Sequence, residues 1–156
     1  LPTSAPMTYR KAKKTDTPSI VALLANDKLG STREQYEDPL PDFYYKAFEA
    51  IDKDPNQELI VVENEAKDII GCLQLSFIQY LTYRGGIRAQ IEAVRIHENQ
   101  RGKGLGKELF LWAIQRAKER GAHLLQLTTD KKRPEAIQFY EALGFVSSHE
   151  GMKLYF

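Results

Sequence analysis

The chain has 156 residues and a hydrophobic fraction of 42%, which suits one globular domain rather than two. Its 22 basic and 21 acidic side chains leave a formal net charge of +1, so no overall attraction to nucleic acids or membrane surfaces is expected. The single cysteine, Cys72, excludes an intrachain disulfide and is compatible with a reducing compartment.

We expect a cytoplasmic protein with one domain. No apolar stretch approaches the length of a transmembrane helix, and the N-terminal residues lack the apolar core of a signal peptide. Residues 1–6 precede the first methionine and are expected to be foreign to the native protein, which leaves residues 7–156 as the single domain.

The first half of the chain predicts a strand, two helices and a hairpin, in that order. Asp16 or Thr17 is suited to cap the first helix, and Gly30 to end it. The second helix carries its apolar side chains on one side. The predicted bounds are a strand at 8–13, a first helix to residue 28, a polar loop at 31–41, a second helix at 42–52, and strands at 59–63 and 69–80 joined by residues 64–68.

The second half predicts alternating strands and helices. An apolar run forms a central strand, a helix-period segment follows a glycine-rich loop, and a β-branched run forms another buried strand. The predicted bounds are a turn at 83–86, the central strand at 87–97, a helix at 108–120, a strand at 124–129, a helix from Pro134 to Gly144, and a final hairpin of strands 146–148 and 152–155.

The segment QRGKGLGK at residues 100–107 lies between the central strand and the next helix. Three glycines at alternate positions leave backbone N–H groups uncovered at the positive end of a helix, which favours binding of a phosphate or pyrophosphate. The side chains of Arg101, Lys103 and Lys107 add positive charge. A P-loop is excluded because Glu108 follows Lys107 where a Ser or Thr is needed, and the glycine spacing differs from the dinucleotide fingerprint G-x-G-x-x-G.

A second pattern lies near the C-terminus, where residues 135–145 read EAIQFYEALGF. The apolar side chains of this segment recur at helical spacing and form one face. Pro134 suits the first turn of the helix, and Gly144 suits the left-handed position that ends it.

The two segments follow each other in order, about 30 residues apart. Arg101, Gly104 and Gly106 fit R-x-x-G-x-G, and residues 136–145 fit A-x-x-F-Y-x-x-x-G-F. Together with the order of elements, they resemble the GNAT superfamily of acetyl-CoA-dependent N-acetyltransferases. The resemblance implies an α/β (α+β mixed) fold, in which a single domain has a central mixed, mostly antiparallel sheet with a splayed pair of central strands, flanked by about four helices.

The central strand has an irregular apolar pattern. With a regular pleat, Ile91 and Ala93 point to one face, and Val94 and Ile96 to the other. Either the strand is buried on both faces, or a bulge near Ala93 shifts its register. The resemblance implies a bulge and a gap beside this strand, where backbone groups bind acetyl-CoA, the acyl donor. The cofactor-binding residues that it implies are Val94, Arg95, Ile96, Arg101, Gly102, Lys103, Gly104, Leu105, Gly106 and Lys107.

Acetyl transfer to an amine needs a base for the ammonium proton, a stabiliser for the oxyanion and an acid for the departing thiolate. Glu92, on the central strand, is the candidate base, and a solvated or salt-bridged carboxylate is the alternative. Tyr140 is the candidate acid because it matches the tyrosine of the second pattern, and a tyrosine of the core is the alternative. The resemblance also implies that the backbone N–H of Val94 stabilises the oxyanion.

Other polar residues carry weaker predictions. His97, at the end of a strand, is a candidate base or phosphate contact, with a structural role as the alternative. Cys72 is interpreted as a small buried hydrophobe, and no metal site is predicted because the histidines and this cysteine lack ligand spacing. Arg133 stands where many members of the superfamily have Asn, three positions before the helix alanine, so no cofactor role is assigned to it.

Two segments are candidates for binding the acceptor. Residues 26–43 are rich in acidic side chains, which suit a cationic, polyamine-like acceptor, although a solvated polar loop is the alternative. Residues 77–88 combine aromatic side chains with Arg84 and Arg88, which suit the carboxylate of an amino-acid-like acceptor.

We therefore expect an N-acetyltransferase that passes acetyl from acetyl-CoA directly to a primary amine of a small molecule in a ternary complex. The alternatives are a non-catalytic acyl-CoA-binding sensor or interaction module on the same scaffold, and a protein-lysine acetyltransferase. Neither nucleic acid nor membrane is an expected partner. A C-terminal edge strand that ends in residues 154–156 either pairs with a second subunit in a homodimer or completes the core of the monomer.

Overall fold

The protein is built around one mixed sheet of five strands, seen in a computed structural model that describes residues 6–156. The strands follow the order β1-β2-β3-β4-β5; the first four pair antiparallel, and β5 runs parallel to β4. The expected foreign segment 1–6 lies outside the described residues, except for Pro6. The strands are β1 (Thr8–Lys11), β2 (Gln57–Glu63), β3 (Ile69–Gln79), β4 (Ile87–Ile96) and β5 (Leu124–Gln126).

Six helices accompany the sheet in this described part of the chain. None of them is long and apolar enough to cross a membrane. The predicted single-domain α/β fold with a mixed, mostly antiparallel sheet is confirmed. The helices are α1 (Thr17–Ala25), α2 (Gly30–Arg33), α3 (Asp42–Lys53), α4 (Thr82–Gly85), α5 (Leu105–Glu119) and α6 (Pro134–Ala142), with short 3-10 turns at Lys14–Asp16 and Glu98–Gln100.

Helices cover both faces of the sheet. On one face, Leu105, Leu109 and Phe110 of α5 join side chains of β2, β3 and β4 in the larger core. On the other face, Ile20 of α1 and Phe48 of α3 pack in a smaller core. We call these the α5 face and the α1 face. Each helix presents an apolar stripe because its apolar residues recur at helical spacing.

A bulge interrupts β4 where it pairs with β3. Two β4 residues, Ala93 and Val94, stand opposite a single β3 residue. Ala93 has a left-handed φ of 55°, which a residue in a bulge can adopt. The extra residue shifts the pleat by one position, so that Ile91, Val94 and Ile96 all pack in the core of the α5 face. The predicted bulge near Ala93 is therefore confirmed.

The strands β4 and β5 separate after a short contact. Three residue pairs join them, and the last pair is Gln90 with Gln126. Beyond this pair β5 ends, whereas β4 continues to Ile96. The backbone of β4 after Gln90 therefore borders a gap instead of a fifth strand. The predicted splayed pair of strands is confirmed, although the predicted strand at 124–129 is only three residues long.

The predicted C-terminal hairpin is wrong, because residues 146–156 form no strand. The chain turns locally instead, and the N–H of Ser148 donates to the carbonyl of Val146 at 3.0 Å. Leu154 is 81% exposed and Phe156 is fully exposed. Strands of three or four residues are too short to persist as an isolated ribbon, so the edge strand expected to pair two subunits is absent from the described chain.

A short helix, α2, lies where a polar loop is predicted. The N–H of Gly30 donates to the carboxylate of Asp27, and the N–H of Ser31 donates to the carbonyl of Asp27 at 2.9 Å. These two bonds start a single helical turn. Its four residues, GSTR, carry no apolar period, so the sequence pattern gives no sign of it.

Candidate active site

The glycine-rich segment leads into the start of α5. Gly102 and Gly104 both have left-handed φ values, 77° and 83°, and Gly104 is the residue that precedes the helix. A side chain placed at either glycine meets no atom within 4 Å, so this segment is open to a ligand. The first N–H groups of a helix have no partner within it, and they fit the oxygens of a phosphate.

Arg101 ties this segment to the end of α1. Its guanidinium donates to the carbonyl of Asn26 at 3.2 Å, and its backbone N–H donates to the carbonyl of Glu98 at 3.3 Å. The backbone N–H groups that remain for a phosphate are those from Gly102 to Lys107. The sequence predicts a set that begins one residue earlier, at Arg101.

Gly106 brings α5, β4 and α6 together. A side chain at this position would come within 3.3 Å of Ile96 on β4 and 3.9 Å of Phe139 on α6. Because glycine lacks that side chain, the start of α5 lies directly beside the end of β4 and the middle of α6.

The end of β4 lines the gap with backbone. The side chains of Val94 and Ile96 pack in the core of the α5 face. The guanidinium of Arg95 has an Nε–Oδ2 distance of 3.0 Å to Asp27 and donates to the carbonyl of Val94 at 3.0 Å. These three residues are thus fixed by their side chains, and their main chain follows the gap.

Glu92 lies on the α1 face, one residue before the bulge, with an exposed side chain. Its partner in the β3 register is Gln74, and its carboxylate accepts a hydrogen bond from Gln90. Among residues 6–156, no cationic side chain forms a salt bridge with it. The structure therefore removes the salt-bridged alternative for Glu92.

Tyr140 lies in α6 with a half-buried ring. The ring makes edge contacts with Phe110, Phe139 and Phe145, at centroid distances of 5.4, 5.6 and 6.0 Å. It packs against the same core as Val94. Tyr140 thus belongs to the core of the α5 face.

The two candidate catalytic side chains come from opposite faces of the sheet. Glu92 projects from the α1 face, and Tyr140 packs on the α5 face. The sheet separates the two faces wherever its strands are paired, but β4 and β5 diverge beyond Gln90. A group held in that gap is accessible from both sides.

The acidic residues of segment 26–43 are largely engaged within the fold. The carboxylate of Asp27 contacts Arg95, as described above. The other pairs are Glu34 with the Tyr44 hydroxyl at 3.0 Å and Arg33 at 3.0 Å, Asp42 with Lys46 at 3.1 Å, and Glu37 with the Gln35 amide at 2.8 Å. The structure thus weakens the case for a polyamine-like acceptor.

The second acceptor segment carries an arginine that lacks an acidic partner among residues 6–156. The guanidinium carbon of Arg88 lies 5.3 Å from the centroid of the Tyr80 ring, and its Nε is buried without a hydrogen bond. At the turn that precedes it, Tyr83 and Arg84 have left-handed φ values of 51° and 59°. Each costs roughly 1–2 kcal/mol for a residue with a side chain, and such strain clusters at functional sites.

His97 has a structural role, which is the alternative to the predicted role as a base or phosphate contact. Its Nδ1 accepts from the N–H of Asn99 at 3.2 Å and so caps the 3-10 turn after β4. Within residues 6–156, no group of three or more potential ligands stands ready for a metal ion.

Cys72 is fully buried in β3, and burial raises the pKa of its thiol to about 12. Because only the thiolate reacts readily, we expect no reaction of the native protein with a disulfide reagent at pH 8. One thiol per chain should react after unfolding in guanidinium chloride. Rapid reaction of the native protein would instead make Cys72 a candidate acyl-carrying nucleophile.

The sequence analysis missed a row of polar side chains on the α1 face. Gln74 and Ser76 donate to the Gln57 Oε1 at 2.9 and 2.8 Å, and Gln126 donates to the Gln90 Oε1 at 2.8 Å. The signal was present, because polar and apolar residues alternate in β3 and β4, which indicates a solvent-facing side. We call Gln57, Gln74, Ser76, Gln90 and Gln126 the glutamine row.

Two acetyltransferases align with most of the chain. The chain is 28% identical to an aminoalkylphosphonate N-acetyltransferase from Salmonella typhimurium over 140 residues, which cover 90% of this chain and 85% of that protein. It is also 28% identical to an L-methionine sulfoximine/L-methionine sulfone acetyltransferase from Pseudomonas paraeruginosa, over 87% of this chain and 78% of the relative.

A solved structure is more similar still. The crystal structure of a transcriptional regulator from Bacillus halodurans is 55% identical and superimposes with a TM-score of 0.92, covering 97% of this chain and all of that one. The family model for the acetyltransferase (GNAT) family matches residues 25–145, a span that includes β4, the glycine-rich segment and α6. The chain therefore belongs to the GNAT acetyltransferase family.

Proposed function

We propose that this protein transfers an acetyl group from acetyl-CoA to the primary amine of a small molecule, directly within a ternary complex. The observation that carries the proposal is the gap beyond Gln90, which has Glu92 on one face of the sheet and Tyr140 on the other. A thioester held in this gap has a base on one side and an acid on the other.

The donor site is formed by backbone. The main chain of Val94, Arg95 and Ile96 binds the pantetheine arm along the gap, and the N–H groups from Gly102 to Lys107 bind the pyrophosphate. The open left-handed glycines and the uncovered start of α5 fit such a group. When bound, acetyl-CoA supplies a thioester carbonyl that an amine can attack.

The proton transfers follow from the chemistry of the two side chains. Glu92 takes a proton from the acceptor's ammonium group, directly or through a water molecule, and so frees the lone pair that attacks. The N–H of Val94 donates to the oxygen that becomes negative. Tyr140 gives its hydroxyl proton to the departing sulfur and regains one from the nitrogen, while Glu92 releases its own proton to solvent.

We propose an amino-acid-like acceptor rather than a polyamine-like one. In the acidic segment, Asp27, Glu34 and Asp42 already pair with arginine or lysine side chains, whereas Arg88 has no acidic partner among the described residues. Both curated relatives are named for acceptors that combine an amine with an anionic group.

Calorimetric titration with acetyl-CoA, using ATP and NAD as controls, tests the donor. Selective binding of acetyl-CoA supports the proposal, and no binding contradicts it. Free thiol release with methionine sulfone, an aminoalkylphosphonate and spermidine then tests the acceptor. Turnover with spermidine alone would overturn the amino-acid-like class but keep the N-acetyltransferase.

The Tyr140→Phe variant tests the acid. We expect kcat to fall at least roughly tenfold, because the sulfur departs without its proton donor, while acetyl-CoA affinity and thermal stability change little. Tyr155→Phe is the matched control, since it removes the same hydroxyl from an exposed tyrosine. Loss of thermal stability with an unchanged kcat would mean that Tyr140 serves the core alone.

A second candidate function is an acyl-CoA-binding regulatory module without turnover. The observation that favours it is the 55% identity to a transcriptional regulator. Tight acetyl-CoA binding with no thiol release across primary amines would support this function, whereas turnover with any free amine would exclude it.

A further inference from the structure

We infer that Gln90 is a positioning residue for Glu92, and that Gln126 holds Gln90 in its working orientation across the point where β4 and β5 separate. This inference rests on the proposed function, because it takes Glu92 as the base. It assigns a role to two members of the glutamine row.

The hydrogen bonds run in one direction. A carboxylate can only accept, so the amide of Gln90 must turn its NH2 group toward Glu92. The carbonyl oxygen of Gln90 then faces Gln126, whose NH2 group donates to it at 2.8 Å. The chain Gln126 to Gln90 to Glu92 therefore fixes the orientation of the Gln90 amide without ambiguity.

A neighbouring glutamine shows that proximity alone does not produce this contact. Gln74 is the register partner of Glu92 on β3, but its NH2 group donates to Gln57 at 2.9 Å. Ser76, the partner of Gln90, donates to the same Gln57 oxygen at 2.8 Å. Gln74 and Ser76 on β3 thus donate away from Glu92, whereas Gln90 on β4, held by Gln126 on β5, donates to it.

The location adds a second reason. Gln90 and Gln126 form the last residue pair between β4 and β5, and Glu92 is two residues farther along β4, where the gap begins. The same two side chains that close the contact between these strands therefore also hold the carboxylate beside the opening. The separation of β4 and β5 and the orientation of the Glu92 carboxylate therefore depend on the same two side chains.

Few charges surround Glu92 on the α1 face. On β4, these are Arg88 on the near side and Arg95, paired with Asp27, beyond the bulge. The facing β3 side chains, Cys72, Gln74 and Ser76, are uncharged, α1 carries no ionisable side chain, and β5 presents Gln126. Gln90 is the hydrogen-bond donor that the structure gives to Glu92, and a hydrogen bond donated to a carboxylate favours its charged form.

The test compares Gln90→Leu with Gln74→Leu, a matched pair on adjacent strands. For Gln90→Leu we expect kcat to fall roughly tenfold, the loss of one hydrogen bond to a charged group. The acid limb of the kcat/KM profile should move to higher pH, while KM for acetyl-CoA and the melting temperature stay near wild type. Gln74→Leu should keep the wild-type profile, and Gln126→Leu should give a smaller change of the same kind as Gln90→Leu.

A double-mutant cycle separates this inference from the proposed function. If Gln90 acts through Glu92, adding Gln90→Leu to Glu92→Gln causes no further loss. An equal loss in both backgrounds, or a wild-type pH profile for Gln90→Leu, would overturn the positioning role and leave Glu92 as the base. Full activity of Glu92→Gln alone would instead overturn the proposed base.

Discussion

Replacing Glu92 by Gln should lower kcat by roughly 100- to 10,000-fold, the range over which a positioned base contributes. The substitution keeps the size of the side chain and removes its ability to take a proton from the acceptor's ammonium group. Binding of acetyl-CoA should be unchanged, because the proposed donor site lies on the backbone of β4 and at the start of α5. Steady-state kinetics by thiol release, with calorimetry for binding, measure both quantities.

The pH dependence distinguishes a base from a residue that merely shapes the site. In wild type, kcat/KM should rise with pH along an acid limb that disappears in the Glu92→Gln variant. Glu65→Gln is the control, because Glu65 is an exposed glutamate in the loop between β2 and β3. An unchanged acid limb in Glu92→Gln would assign the base elsewhere.

The largest expected effect on stability is at Glu58. This β2 residue is 2% exposed, and its carboxylate accepts from Arg116 at 2.8 and 2.7 Å and from Arg120 at 2.5 Å. Glu58→Ala should lower the free energy of unfolding by roughly 3–5 kcal/mol, because it removes one partner of a buried ionic cluster. Glu119→Ala is the control, since its exposed contact with Arg116 at 3.4 Å should contribute at most about 1 kcal/mol.

The same cluster predicts sensitivity to acid. Burial raises the pKa of Glu58, but the hydrogen bonds from Arg116 and Arg120 outweigh it, so the pKa lies below its usual value of 4.5. A depressed pKa contributes stability above the unfolded value and loses it as the pH falls through the folded value. The difference in unfolding free energy between wild type and Glu58→Gln, measured in urea, should therefore shrink from pH 7 to pH 3. A constant difference would contradict this assignment.

Sequence reasoning succeeded where a local pattern leaves few physical explanations. On a regular pleat Ile91 and Ile96 point to opposite faces, so the pattern left burial on both faces or a bulge near Ala93. The resemblance to the superfamily implied the bulge, and both side chains pack in the same core in the structure. The open start of α5 was predictable because alternate glycines between a strand and a helix leave backbone N–H groups uncovered, and phosphate binding there stays a prediction.

It failed where the outcome depends on partners distant in sequence. Residues 152–155 have a strand-like pattern. However, β5 ends at Gln126, so this segment has no neighbouring strand to pair with among the described residues. The contact between Gln126 and Gln90 depends on the register of two strands 36 residues apart. A glutamine can donate or accept, so its type alone does not reveal which partner it serves.

The placement of the two candidate catalytic groups on opposite faces has a consequence for directed evolution. Substitutions on the α1 face, near Glu92 and Arg88, alter the proposed acceptor side without touching the side chains that pack around Tyr140. Substitutions near Gly106 and Phe139 alter the packing around Tyr140 and leave the α1 face unchanged. Libraries for the two faces can therefore be built separately and recombined, and their effects should add, because distant substitutions that share no partner act independently.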